Sequence, residues 1–161
     1  MANNSELPLK IAREMSLKFL ERRLLNVAKL PLALESFGKS AQKLLIENEE
    51  EKIPALSLAF DLTARLIEKG RLGTIQAAID TLTDLTAAIR EIAADIQPHK
   101  AAGSIKTAVD LVLKLLETNA ISPPNVVPAL KNLSDIAASV LADEKKTKPN
   151  FKGQRSGAKN G

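Results

Sequence analysis

Four aspartates recur in one local pattern. Asp61, Asp84, Asp110 and Asp135 are each followed by Leu or Ile, then in most copies by Ala at the third position and an aliphatic residue at the fifth. If they stand in equivalent rows on neighbouring helices, they form one acidic ladder able to bind a basic partner. Carboxylates alone make no catalytic set, and the other candidate chemistry is sparse. His99 lies between Pro98 and Lys100, with no second His, no Cys and no nucleophile in reach, so no catalytic role is expected of it. Glu49, Glu50 and Glu51, close to Glu47, are consecutive and point in different directions, which reads as a solvated turn and not as a divalent-metal site. Gly38-Lys39-Ser40 ends like a P-loop, but Ala33 stands where that loop needs its first glycine. Gly103 to Thr107 fails the same test, and Ser104 reads as a helix cap. Gly70-Arg71-Leu72-Gly73 has the spacing of a loop that clamps nucleic-acid backbone, yet such loops work beside a sheet and no strand is expected here.

Composition narrows the choice further. The chain has 161 residues, with 45% hydrophobic, 26% charged and only 2% aromatic residues, and it has no Cys, Trp or Tyr. Disulfides, Cys-ligated metals and thiol nucleophiles are therefore excluded. An enzyme is not expected, nor a cofactor, nor a small-molecule substrate. The opening MANNSELPLK lacks a basic start and an apolar run, and no apolar stretch approaches the roughly 20 residues of a bilayer-spanning helix. A soluble, intracellular, cytoplasmic protein is the expectation.

Charge is divided along the chain. Residues 1–46 carry an excess of four basic groups, residues 47–144 an excess of six acidic groups, and residues 145–161 six basic groups with no acid. Those six are Lys145, Lys146, Lys148, Lys152, Arg155 and Lys159, in a stretch with Pro149, three glycines and a single large apolar residue, Phe151. Too little apolar surface is present there to offset ordering entropy, so a disordered basic tail is expected. Such a tail either keeps the protein soluble or acts as an electrostatic arm, neutralising up to about six phosphates of a nucleic acid or engaging an acidic partner. The first helix mixes Lys10, Arg13, Lys18, Arg22, Arg23 and Lys29 with Met15, Phe19 and Leu20, but its charges surround the helix instead of forming one arc. Membrane-surface binding is not expected, and those cations are read as complements to the acidic middle of the chain.

Apolar residues recur at three and four spacing throughout residues 8–144, which predicts an all-α fold of about six helices in a single domain, preceded by a flexible segment 1–7. Hairpin-like units are expected over 8–48, 54–96 and 104–143. The first helix should run from Pro8 to about Lys29, burying Leu9, Leu17, Leu20, Leu24 and Val27, with Pro31 as its break. The second should bury Phe37, Ala41, Leu44 and Leu45. Pro54 opens the third, with Leu56, Ala59, Phe60, Thr63, Leu66 and Ile67 inward, and Gly70 suits its left-handed end. Thr74 caps the fourth, whose long aliphatic stripe marks it as the central helix, and Pro98 ends it. Asn119 closes the fifth, and Leu130, Leu133, Ile136, Val140 and Leu141 are the predicted buried stripe of the sixth.

The four Asp motifs are spaced by 23, 26 and 25 residues, and Ile53-Pro54-Ala55-Leu56 recurs as Val127-Pro128-Ala129-Leu130. Helices three and four thus match five and six, a hairpin repeated at about 50 residues. Stacked hairpins forming a short α-solenoid and a closed six-helix bundle both satisfy this pattern. The expected function is a non-enzymatic protein-interaction module, a scaffold, adaptor or assembly subunit. The scarcity of aromatic anchors favours moderate affinity or self-association. The alternative is a nucleic-acid-associated protein that uses the basic tail.

Overall fold

The structure, a computed structural model, describes the backbone of residues 2–47 and 53–147 and the side chains of residues 6–45 and 53–141. Among these residues there are six α-helices and no strand: α1 (Ala2–Glu21), α2 (Leu30–Glu47), α3 (Ala55–Glu68), α4 (Ile75–Ala94), α5 (Pro98–Glu117) and α6 (Val126–Thr147). The six basic residues of the tail lie outside the described side chains, as do Glu47 and Glu49–Glu51.

Each odd-numbered helix turns back on the next through the same device. α1, α3 and α5 end with a residue in the left-handed region, Arg23 at φ 60°, Gly70 at φ 75° and Asn119 at φ 61°. In each, the left-handed residue and its successor donate back to the last turn: Arg23 N to Leu20 O and Leu24 N to Phe19 O, Gly70 N to Ile67 O and Arg71 N to Leu66 O, Asn119 N to Leu116 O and Ala120 N to Leu115 O. These paired bonds satisfy carbonyls that a helix end otherwise leaves without partners. Gly70 has a second reason to lack a side chain, since a Cβ there would lie 2.5 Å from Nη2 of Arg22. Arg22 crosses at that point to donate from Nη1 to the Glu68 carbonyl at 3.2 Å, placing a cation at the negative end of α3. Thr74 then starts α4 by accepting from Ala77 N at 3.0 Å. The entries to α2 and α6 instead pass through single 3-10 turns, Val27–Lys29 after Asn26 and Pro123–Asn125 after Ser122.

Helices pack chiefly within the hairpins α1–α2, α3–α4 and α5–α6. Between hairpins, α3 touches α1 and α5, while α4 touches α2 and α6. This is a two-layer stack, with the odd helices in one layer and the even helices in the other, and so the stacked-hairpin architecture. α3 and α4 each pack against four other helices, and of the two α3 is the more buried. Ten of its 14 residues are buried, including Leu56, Leu58, Leu62 and Ile67 on different sides, as expected of a helix that is apolar nearly all round. Thr63 and Thr86 enter this core by donating to the carbonyls one turn back, at 2.8 Å and 2.7 Å.

Several boundaries and faces differ from the sequence expectation. α1 begins well before Pro8, which it contains, and ends at Glu21. The break comes at Arg22–Asn26, and Pro31 sits in the first turn of α2, where a missing N–H costs no helical bond. Pro98 likewise starts α5 instead of merely stopping α4, which ends at Ala94. Ser104 caps nothing; it lies inside α5, fully buried, and its Oγ has no hydrogen-bond partner. The buried face of α1 is Pro8, Ile11, Ala12, Met15, Ser16 and Phe19, so Leu9, Leu17, Leu24 and Val27 are exposed. Ile136 and Val140 of α6 are exposed too.

Phe19 and Phe37 join α1 to α2 edge-to-face, with ring centroids 5.6 Å apart. Next to Phe37, Gly38 faces Ala12, where a Cβ would sit 3.7 Å from the alanine methyl, an ordinary contact. Gly38→Ala is therefore expected to stabilise the protein by about 0.5–1 kcal/mol, because it removes the backbone entropy cost of a mid-helix glycine without a clash. A urea midpoint unchanged or lowered in the variant contradicts this.

Candidate protein-interaction surfaces

Aligning the odd helices on their left-handed residues, 47 and 49 positions apart, exposes a repeat that includes the first hairpin. Ala12, Ala59 and Ala108 then coincide, and each is fully buried. Glu14, Asp61 and Asp110 coincide, as do Lys18, Arg65 and Lys114, and Glu21, Glu68 and Glu117. In the even helices, aligned on the 3-10 turns that open α2 and α6 96 positions apart, Ala33 falls on Ala129 and Phe37 on Leu133. The repeat is threefold. Arg23 and Glu14 conceal the first copy in sequence, because they replace the Gly or Asn and the Asp by which the other copies announce themselves.

The predicted acidic row divides between the two layers. Asp61 on α3 and Asp110 on α5 are brought together, while Asp84 and Asp135 lie on α4 and α6, in the other layer. Across the odd layer, charges alternate and do not build a single acidic surface. Lys18 Nζ meets Glu68 Oε2 at 2.6 Å between α1 and α3, and Arg65 Nη1 approaches Glu117 Oε2 at 3.9 Å between α3 and α5. The cations of α1 thus do complement acids of the middle of the chain. These pairs are partly exposed, so each adds little to stability, and their sequence positions matter more as a record of register.

Asp61 stands at the mouth of a polar groove shared with Lys10, Glu14 and Lys18. Its carboxylate is solvent-accessible, but the surrounding helices remove enough water to raise its pKa above the ordinary carboxylate value. Lys10 opposes that shift, Asp110 adds to it, and Lys106 opposes it. The folded state therefore holds this proton more tightly than the unfolded chain. The stability it supplies is complete below the unfolded value of about 3.9 and is lost as pH rises through the folded one. Asp61→Asn should melt higher than the wild type at neutral pH, with the two converging below about pH 4. A variant that melts lower at neutral pH contradicts the assignment.

An apolar opening lies between α5 and α6. It encloses about 400 Å³ and is lined by Gly103, Ser104, Thr107, Leu111, Leu133, Ile136, Ala137, Val140 and Leu141. Leu111, Ile136 and Val140 are 46%, 52% and 59% exposed. Large aliphatic side chains so open to water mark a contact surface more often than a solvated one when they cluster. Sequence periodicity found Ile136, Val140 and Leu141 but assigned them to the core. A second exposed apolar cluster, Leu9 and Leu34 beside Lys10 and Arg13, lies at the other end of the stack.

Among the described residues no group of three or more His, Asp or Glu is placed to hold a metal ion. No described helix is long and apolar enough to cross a membrane. No family model, no curated protein and no solved structure matches the chain.

Proposed function

We propose that this chain is a non-enzymatic helical interaction module, an adaptor or assembly subunit that binds protein through the ends of its hairpin stack. The observation that supports the reading is the open apolar groove of α5 and α6, with Leu111, Ile136 and Val140 in water. Repeat proteins normally finish with a polar outer face, because an uncapped end leaves an unpaired core surface. Among the described residues no constellation of acid, base and nucleophile competes with that surface.

The reading is tested by using the full chain as bait in an extract of its source cells, beside an Ile136→Glu/Val140→Glu variant of unchanged helical content. A protein retained in high salt by the wild type and lost by the variant supports it, since apolar contacts resist screening. The nucleic-acid alternative predicts something else: association with a generic duplex that falls steeply with salt and disappears when the six basic residues of 145–161 are replaced by Gln. Duplex binding of that kind, with no salt-resistant protein partner, overturns the proposal.

A further inference from the structure

The two exposed apolar ends are related by the repeat. Leu111 on α5 holds the position of Met15 on α1 and Leu62 on α3, which are fully buried. What distinguishes it is that another hairpin packs beyond α1–α2 and beyond α3–α4, whereas among the described residues none packs beyond α5–α6. The even helices agree: with α2 and α6 aligned on the 3-10 turns that open them, Val140 falls on Leu44 of α2, which is 6% exposed. At the opposite end the relation is reversed. Leu9 on α1, 65% exposed, holds the position of Leu56 and Ile105, which are 2% and 0% exposed on helices that have a hairpin before them. Leu17, 44% exposed, similarly aligns with Ala64 and Leu113, which are buried and half-buried. The last hairpin thus presents the face that receives a following hairpin, and the first presents the face that docks on a preceding one.

Charge gives the same pairing independently. Within the chain, the cation of one repeat meets the glutamate of the next, Lys18 with Glu68 and Arg65 with Glu117. The next pair in that series needs Lys114 at the open end of the stack and Glu21 at its start. Lys114 is 78% exposed, tied only to Glu117 on its own helix at 3.5 Å, and Glu21 is exposed. Two turns along, Lys10 faces Asp61, and the matching pair beyond the chain is Lys106 with Glu14.

We propose that the occupant of the α5–α6 groove is the α1–α2 hairpin of a second copy of this chain, so that copies stack head to tail and continue the repeat. The inference rests on the interaction-module reading and specifies its partner. Such a contact joins two different surfaces, so each added copy leaves one of each free. Growth is open unless the rotation per copy closes a ring.

Sedimentation velocity of the full chain, from low micromolar to near-millimolar concentration, should show the average mass rising past that of a dimer. Leu9→Glu and Leu111→Glu, both on the surface and checked for unchanged helical content, should each remain monomeric at concentrations where the wild type assembles. Mixed together they should form a one-to-one heterodimer, since each supplies the face that the other lacks. Lys114→Glu and Glu21→Lys should each weaken association by about tenfold, equivalent to roughly 1.4 kcal/mol, and recover when combined in one chain. A wild type that is monomeric throughout overturns the proposal. So does a Leu9→Glu chain that self-associates like the wild type, which indicates a two-fold contact between identical grooves or association through the tail. A chain that never self-associates, yet loses a salt-resistant partner protein on Ile136→Glu/Val140→Glu substitution, overturns this inference and leaves the module reading standing.

Discussion

Phe37→Ala is expected to destabilise the protein by about 3–5 kcal/mol, a large part of the 5–15 kcal/mol that holds a domain of ordinary stability together. Phe37 is 1% exposed and sits where α2 crosses α1. Its ring meets Phe19 edge-to-face at an interplanar angle of 67°, a geometry that adds about 0.5–1.5 kcal/mol beyond the area buried. Truncation removes that pairing and leaves a cavity between two tightly packed helices, whose buried faces there also carry Ala12, Ala33 and Ala41. For a chain of this size the melting temperature should fall by on the order of 10 °C. Calorimetry of the variant checks it, and a fall of only a degree or two shows that the α1–α2 crossing does not depend on the aromatic pair.

Leu62→Ala has a comparable expected cost, about 2–5 kcal/mol, and it carries a built-in control. Leu62 is fully buried on α3, while Leu111 holds the same repeat position and is 46% exposed. The same chemical change at Leu111 should cost about 1 kcal/mol or less in dilute solution, because water already reaches much of the side chain. The contrast depends only on whether another hairpin covers the site. Denaturation of both variants at low concentration gives the two numbers, and equal losses contradict the repeat register. At concentrations where copies stack, Leu111→Ala should lose stability relative to the wild type, as the covering hairpin then comes from a neighbour.

Elements bounded by strong local chemistry were legible in the sequence. Pro54, Gly70, Thr74 and Asn119 act at the ends where they were expected, and every residue predicted to line α3 is buried. The face of α1 was not legible. Its sequence carries Leu9, Leu17 and Leu20 on one side and Ile11, Met15 and Phe19 on another, and only the positions of α2 and α3 decide which set is covered. Ile136 and Val140 show the same limit: periodicity identifies a face that wants cover, not whether the chain provides it. Pro31 and Pro98 read as breaks in sequence because proline's cost falls on interior turns, yet both sit at the first turn of a helix, while Pro8, read as a helix start, lies inside α1. The acidic ladder failed in a different way. A motif of Asp, Leu and Ala on amphipathic helices aligns odd with even helices as readily as odd with odd, and the left-handed residues were needed to fix the register. Of the candidate site, Asp61 and Asp110 could be paired from sequence by their separation of 49 residues. The charge series of Lys18, Arg65 and Lys114 could not, because the first hairpin had not been placed in the repeat.

That α3–α4 alone has a hairpin on either side sets the order in which the molecule opens. Amide hydrogens of α3 and α4 can exchange only when a flanking unit has already left, whereas α1–α2 and α5–α6 can each detach from one side. Exchange should therefore be slowest in Ala55–Glu68 and in the middle of Ile75–Ala94, faster in both outer units, and uneven even at conditions far from melting. A neighbour stacked on an outer unit would slow that unit selectively. The gradient of exchange along the chain is thus also a gauge of how many hairpins each one touches.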